Sequence, residues 1–296
     1  MPQKLTNYHV VDHSNIGDLM SSPLMYFDFP GFDCQTSDLR DINDKLDNSP
    51  SILQNQIAIL GGGGLLFERF LPSIQSLQNS SSITASIIWG AGQQRYGSIK
   101  SVNFQEFDYA SYTDTFKLVG IRDFDCGYDW VPCVSCMHPS FDKVRSPCHE
   151  YVVFSHKKFQ ISFPEFPRMT NENADMDSIL DFLGSGETIL TSSFHGAYWG
   201  TLLGRKVLAF PFSSKFFTLK HRPAFHSIKK WSNTQWKLSI FNKVLYELKY
   251  KNKFTCSLEG WQRSSQRIQA YPDSLEECRE QNRNFHEKVL DVLSEK

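Results

Sequence analysis

The residues of this 296-residue chain best suited to chemistry are a histidine at a strand-to-helix turn, two cations placed just past other strands, and two glycine-containing turns. His195 lies in Thr191-Ser-Ser-Phe-His-Gly196, directly after the short strand-like run Thr188 to Thr191 and ahead of a helix-compatible stretch. Glycines 196, 200 and 204 recur every four residues there, so they share one helix face that a strand or a ligand can approach closely. A histidine at a helix N-terminus stands among free N–H groups in the positive end of the dipole. That place favours an anion and, while empty, disfavours imidazolium; a bound phosphate reverses the second effect. Lys215 follows the next strand in Pro211-Phe-Ser-Ser-Lys215, and Arg122 follows Val119-Gly-Ile121 with Asp123 beside it. An ammonium and a planar guanidinium at such strand ends suit phosphate or carboxylate. The competing reading of Arg122 is an ion pair with an acid.

Gly61 to Gly64 end an apolar strand and let backbone amides reach a sugar or phosphate unobstructed. The segment lacks the Gly-Lys-Ser/Thr of a P-loop and the spacing of a dinucleotide fingerprint. Asn15-Ile-Gly17-Asp18 is a second polar turn, in which Asp18 is either a base and sugar ligand or a helix cap. Cys133-x-x-Cys136, near Cys126, His138, Cys148 and His149, has the ligand chemistry of zinc but lacks a second Cys-x-x-Cys pair, so buried thiols and no metal are expected.

The elements that must hold these residues repeat one pattern, a short apolar strand, then glycine or small polar residues, then a helix-compatible run. Tyr8 to Val11 leads to a helix-like Leu19 to Phe27, and Gln56 to Leu60 leads to helical spacing over Leu65 to Leu77. Ala85 to Trp89 and Phe116 to Ile121 are further strands. The pattern breaks near Arg145-Ser-Pro147 and restarts at Tyr151 to Phe154, with a helix over Asp175 to Leu183 and strands at Thr188 to Thr191 and Lys206 to Phe210. Repeated units of this kind predict α/β architecture with parallel sheets. Two Rossmann-like domains are expected, 1–147 and 148–270, followed by a C-terminal helix over 271–296 that opens with a capping box, Ser274-x-x-Glu277, and packs near the domain boundary.

With 40% hydrophobic residues the chain can bury large cores, and no apolar stretch reaches the ~20 residues of a membrane span. Lys4 followed by Thr-Asn-Tyr-His lacks the apolar run of a signal peptide, and seven cysteines are an odd, scattered set, so a cytoplasmic protein with reduced thiols is expected. Net charge is only −1, yet residues 215–253 hold ten Lys or Arg against Glu247, interleaved with Phe216, Phe217, Phe225, Trp231, Trp236 and Phe241. That segment either meets a polyanion or the inner face of an anionic membrane, or forms amphipathic helices with a solvated basic face. No nucleic-acid motif accompanies it.

Taken in order, Asn15-Ile-Gly-Asp18, Ile59-Leu-Gly-Gly-Gly-Gly-Leu65, Ile88-Trp-Gly-Ala-Gly92, Gly120-Ile-Arg-Asp123, Thr191-Ser-Ser-Phe-His-Gly196 and Ser214-Lys215 resemble the polysaccharide pyruvyl transferase family. The resemblance implies a GT-B-like pair of domains with the active site in the interdomain cleft. It implies phosphoenolpyruvate as co-substrate, no further cofactor, and a glycan or lipid-linked oligosaccharide acceptor that receives pyruvate as a ketal. His195 would be the acid, with Arg122 and Lys215 anchoring the donor. Many family members read Ser-Arg-Leu-His where this chain has Ser192, Ser193, Phe194 and His195. A guanidinium missing at Ser193 removes a charge-assisted contact of about 1.5–3 kcal/mol, which His156, Lys157 or Arg168 would have to replace. The alternative on the same fold is a glycosyltransferase using a nucleotide sugar.

Overall fold

The computed structural model describes residues 2–48, 55–96, 107–172, 175–240 and 243–295, with backbone alone for 46–48 and 234–252. The first half runs β1 (Gln3–His9), α1 (Ile16–Leu19), β2 (Phe32–Asp38), α2 (Ile42–Asn48), β3 (Gln56–Gly61), α3 (Leu71–Gln78), β4 (Ile83–Ala91), α4 (Ala110–Thr113), β5 (Leu118–Ile121) and β6 (Asp129–Trp130). Its six strands form one parallel sheet in the order β2-β1-β3-β4-β5-β6. Every residue of β3 is buried, as a central parallel strand covered on both faces requires. The helix expected over Leu19 to Phe27 does not form; α1 ends where it would begin, and only a short 3-10 turn at Pro23–Met25 lies within it. Pro23 disfavours helical geometry at Ser22, which is extended at φ −81°, ψ 123°, so α1 ends at Leu19. Pro72 likewise starts α3 instead of lying inside a longer helix. The edge strand β2 carries no apolar alternation and is mostly exposed, which is why its sequence does not announce it.

The second series is β7 (His149–Ser155), β8 (Phe159–Gln160), β9 (Arg168–Thr170), α5 (Met176–Gly184), β10 (Gly186–Thr191), α6 (Phe194–Leu202), β11 (Lys206–Ala209) and β12 (Ala224–Phe225). A five-stranded parallel sheet has the order β12-β11-β10-β7-β9. Asp175 starts α5 by accepting from the amides of Asp177 and Ser178. Helix α6 is buried on all sides, and two of its glycines lie on the sheet. A β-carbon at Gly196 would stand 2.5 Å from the Phe154 ring, and one at Gly200 2.5 Å from Ile189 Cδ1. Gly204 does something else. At φ +67° it ends the helix in a Schellman turn, with Gly204 N–H donating to Thr201 O and Arg205 N–H to Gly200 O.

The remaining elements are β13 (Ser232–Ile240), β14 (Lys243–Thr255), α7 (Trp261–Ser265) and α8 (Ser274–Ser294). From Ser232 on, the basic segment is an antiparallel pair of strands joined to β8, and before it come a short turn at Ser214–Phe216 and β12, not a set of amphipathic helices. Phe241 lies outside the described residues, as do the side chains of Trp236 and Lys237. The capping box at 274–277 does not form. Ser274 Oγ donates to Thr201 O, and the Glu277 carboxylate is taken by Lys220 and His221. Tertiary partners thus outbid the local cap, and they fix the start of α8 against α6. Further along, Phe285 and Val289 pack with Trp89, whose indole N–H donates to Asn282 Oδ1 at 2.9 Å, so α8 ties the second sheet to the first. No helix among the described residues is long and apolar enough to cross a membrane.

Counted from its own first strand, each sheet has the doubly wound order 2-1-3-4-5, the first with a sixth strand added. In such sheets neighbouring strands lead their connections to opposite faces at one point, leaving a crevice at the carboxyl ends of the strands. That point is β1/β3 in one sheet and β7/β10 in the other. Asn15 to Asp18 and Gly61 to Gly64 follow the first pair, and His156 with Ser193 to His195 follow the second.

Candidate functional site

The two crevices meet. Lys157 Nζ crosses from the turn after β7 to Asp12 Oδ2 at 2.7 Å and Ser14 Oγ at 2.5 Å, and Asn171 Nδ2 donates to Asn15 Oδ1 at 2.9 Å. Asn15 in turn donates to Asp18 Oδ2 at 2.6 Å. The closest approach is at Gly17, where a β-carbon would fall 1.9 Å from His195 Nδ1. Only glycine lets the first turn lie against that imidazole.

The four-glycine turn is less open than its sequence suggests. A β-carbon at Gly61 would strike Asn7, one at Gly62 the Ser21 backbone and one at Gly64 the Gln94 side chain, while the Gly62 amide is spent on Trp89 O. Gly63, at φ +79°, faces free space, its nearest neighbours being Asp18 Oδ1 and Ser21 Oγ at 3.9 Å. A sugar or phosphate would meet Gly63 beside Asp18, not a cradle of four amides.

Arg122 is 3% exposed, with its guanidinium carbon 4.4 Å from the Phe194 ring centre and the Gly92 backbone against its other groups. Nη2 donates to Gln93 O at 3.3 Å, and Nε has no partner among the described residues. Asp123 is not its dedicated counter-ion. The nearest oxygen is 3.9 Å away, and that carboxylate accepts from the Gln93 amide, Tyr109 Oη and Thr218 Oγ1. A buried guanidinium with an unfilled donor is chemically incomplete.

Lys215 sits in the turn after β11, its Nζ 3.2 Å from Gln94 Oε1 and 5.5 Å from the same Phe194 ring. Burial, opposed by Asp18 and aided by Arg122, lowers its pKa to about 8. His195 is 6% exposed, tilted over Trp199, with Nε2 3.7 Å from Cys133 Sγ. Burial first, then Lys215, Arg122 and His156, hold its pKa well below the usual histidine value, so the imidazole is neutral in the empty site. His156 is pushed down to about 3 by burial and by Lys215, Lys157 and Lys158. Asp18 moves the other way, raised chiefly by burial.

Ser193 caps α6, its Oγ accepting from the Gly196 amide at 3.3 Å, and Phe194 forms the apolar floor under both cations. Lys157 is committed to the Asp12 clamp. Arg168 is not among the side chains gathered here: it is exposed on the edge strand β9, level with Val153 of β7, and donates to Ile161 O. Cys133 and Cys136 are fully buried, and Cys136 is pushed up by burial and by Cys278. Among the described residues no three His, Cys, Asp or Glu side chains gather as metal ligands.

No protein-family model, curated protein or solved structure matches the chain.

The site also contains residues that motif reading passed over. Gln94 joins Lys215 to the first half, and Arg95 and Tyr96 pair with Ser214 and Ser213, so the strand end after β4 is stitched to the lysine's own turn. Polar residues just after Gly92 carried a positional signal, because β4 is a central strand and its carboxyl end borders the crevice. The basic segment divides. Phe216 belongs to the interior, Lys215 is half-buried at the crevice, Phe217 packs on Phe225, and Trp231 donates to Pro211 O, whereas Lys229 and Lys230 are exposed.

Proposed function

We propose that the chain transfers pyruvate from phosphoenolpyruvate to two hydroxyls of a glycan or lipid-linked oligosaccharide, forming a ketal, with a GT-B-like cleft between its two sheets as the active site. One observation carries the reading. A neutral, buried imidazole is flanked by two cations, the buried Arg122 with an unfilled donor and the half-buried Lys215, at the adjoining crevices of two doubly wound sheets. Such a pocket is electrostatically unfavourable while empty and is completed by a small dianion.

The field in the pocket sets the order of events. With Lys215 and Arg122 unneutralised, His195 stays a neutral imidazole without its second proton. A phosphate between the cations offsets their field and restores the imidazole's basicity, so the acid is armed by the donor. His195 then protonates the methylene carbon of phosphoenolpyruvate, which becomes the methyl group. The central carbon turns cationic and accepts the first sugar oxygen. Phosphate leaves with the C–O electron pair, the second hydroxyl closes the ketal, and the two hydroxyl protons pass to the imidazole and to phosphate. Arg122 and Lys215 hold the phosphate charge throughout. Asp18, beside Gly63 and in the field of Lys215, would hydrogen-bond an acceptor hydroxyl.

The test is His195→Gln with phosphate release followed at saturating phosphoenolpyruvate. A loss of 100-fold or more supports the role, and a rate within a few-fold of wild type rejects it. Thermal stabilisation by phosphoenolpyruvate but not by a panel of nucleotide sugars separates this reading from a glycosyltransferase.

A further inference from the structure

Beside the crevice lies a cavity of about 500 Å³ whose lining includes Phe67, Glu68, Arg95, Tyr96, Phe107 and Asp108. Its volume is that of a small-molecule site. Its chemistry is unlike that of the crevice. The crevice brings two cations, Arg122 and Lys215, onto the Phe194 ring, whereas this cavity sets two exposed carboxylates against one guanidinium, and that guanidinium already rests on the Phe107 ring at 5.0 Å. A phosphate or nucleotide would meet net negative charge here. A neutral polyhydroxylated ring would not, because carboxylates and guanidinium pair with vicinal hydroxyls.

The aromatic groups are placed to match. Tyr96 lies nearly parallel to Phe212 and Phe159 at 6.1 and 6.3 Å and edge-to-face with Phe67 at 5.7 Å, and with 54% of its surface still exposed it offers aromatic area to the C–H groups of a sugar. The cavity is also joined to the reacting groups through one side chain. Gln94 lines it, donates to Tyr96 Oη at 2.7 Å, and accepts from Lys215 Nζ at 3.2 Å. A ring held on Tyr96 therefore lies next to the donor crevice.

We propose that this cavity is the acceptor subsite, binding one neutral hexose ring between Tyr96, Phe67, Glu68 and Asp108 so that its hydroxyls face Lys215 and Asp18. The assignment rests on the pyruvyl transfer reading for the word acceptor, but sugar binding here is testable without it. The probes are methyl glycosides of neutral hexoses, followed by saturation-transfer NMR on the full chain. Transfer to ring protons of at least one glycoside is expected, reduced fivefold or more by Tyr96→Ala and by Glu68→Gln and unchanged by inorganic phosphate. Both side chains are exposed, so neither substitution threatens the core; unchanged melting temperatures check this. With an active acceptor, Tyr96→Ala raises the acceptor KM tenfold or more and leaves the phosphoenolpyruvate KM alone. Absence of transfer from every glycoside, or transfer that persists in both variants, overturns the subsite. Glycoside binding that is lost in the variants while phosphoenolpyruvate neither stabilises nor turns over leaves the sugar site standing and removes pyruvyl transfer.

Discussion

The Cα of Gly17 faces the imidazole of His195 so closely that a β-carbon there would stand 1.9 Å from Nδ1, although the two residues lie on helices that follow strands of different sheets. The glycine fixes the His195 ring by contact, and the two halves of the chain must close for the contact to exist. Gly17→Ala therefore displaces the imidazole or the turn. Phosphate release should fall about 100-fold, the order expected for a misplacement of about 1 Å, with a stability loss of about 1–3 kcal/mol from overpacking. Rate assays and thermal melts check the two effects separately; a fully active alanine variant would mean that the contact does not position the ring.

The buried histidines predict an acid-sensitive fold. For His195 and His156 the folded pKa lies below the unfolded value near 6.5, so below that pH the unfolded chain takes up protons that the native chain refuses. Stability should thus be full above pH 6.5 and decline as pH falls, by about 1.4 kcal/mol per pH unit for each such proton. Urea titrations between pH 7.5 and 5 measure the slope, and His156→Gln should flatten it. Adding phosphoenolpyruvate should reduce the slope by letting His195 take its proton in the folded state.

Lys215 controls the alkaline limb. Its amine, with a pKa of about 8, discharges just above the physiological range, and a neutral amine no longer attracts phosphate. The KM for phosphoenolpyruvate should rise up to tenfold per pH unit above about 8. In Lys215→Arg the limb should vanish, because guanidinium stays charged. Stability moves oppositely. Between pH 8 and the usual lysine range the unfolded chain is the more protonated, so the apo protein becomes more stable as the buried charge is released. A KM independent of pH from 7 to 9.5 would separate Lys215 from the donor.

Ser193 occupies the place where the resembling family carries arginine, and it is used as a cap. Ser193→Ala should cost about 1 kcal/mol of stability through the lost bond to the Gly196 amide. Its effect on the phosphoenolpyruvate KM should stay below threefold, since the cations that face the site are Arg122 and Lys215. A tenfold rise in that KM with unchanged melting would instead assign the hydroxyl to the donor.

Much of the site was written locally. The run Thr188 to Thr191 followed by Ser193 and an apolar glycine-spaced stretch specifies strand, cap and helix with no help from afar, and so places His195 at a helix start. Gln56 to Gly61 specifies a buried central strand in the same way. These signals are short-range, set by propensity, capping and period. Where local and distant partners competed, the distant ones won. Ser274 and Glu277 abandoned their capping box for Thr201, Lys220 and His221, and the basic run after Lys215 paired into a hairpin in place of helices.

The sequence by itself determined the parallel α/β architecture and the identity of His195, Arg122 and Lys215 as residues at strand ends. Tertiary structure decided which of the candidates meet. It packed Gly17 on His195, closed three of the four glycines of the 61–64 turn against neighbours, tied Lys157 to Asp12, left Arg168 exposed on an edge strand and brought Gln94 to Lys215. It also decided charge, because a histidine's sequence context cannot say how much water and how many cations surround it. Burial beside two cations is what makes His195 neutral until an anion arrives.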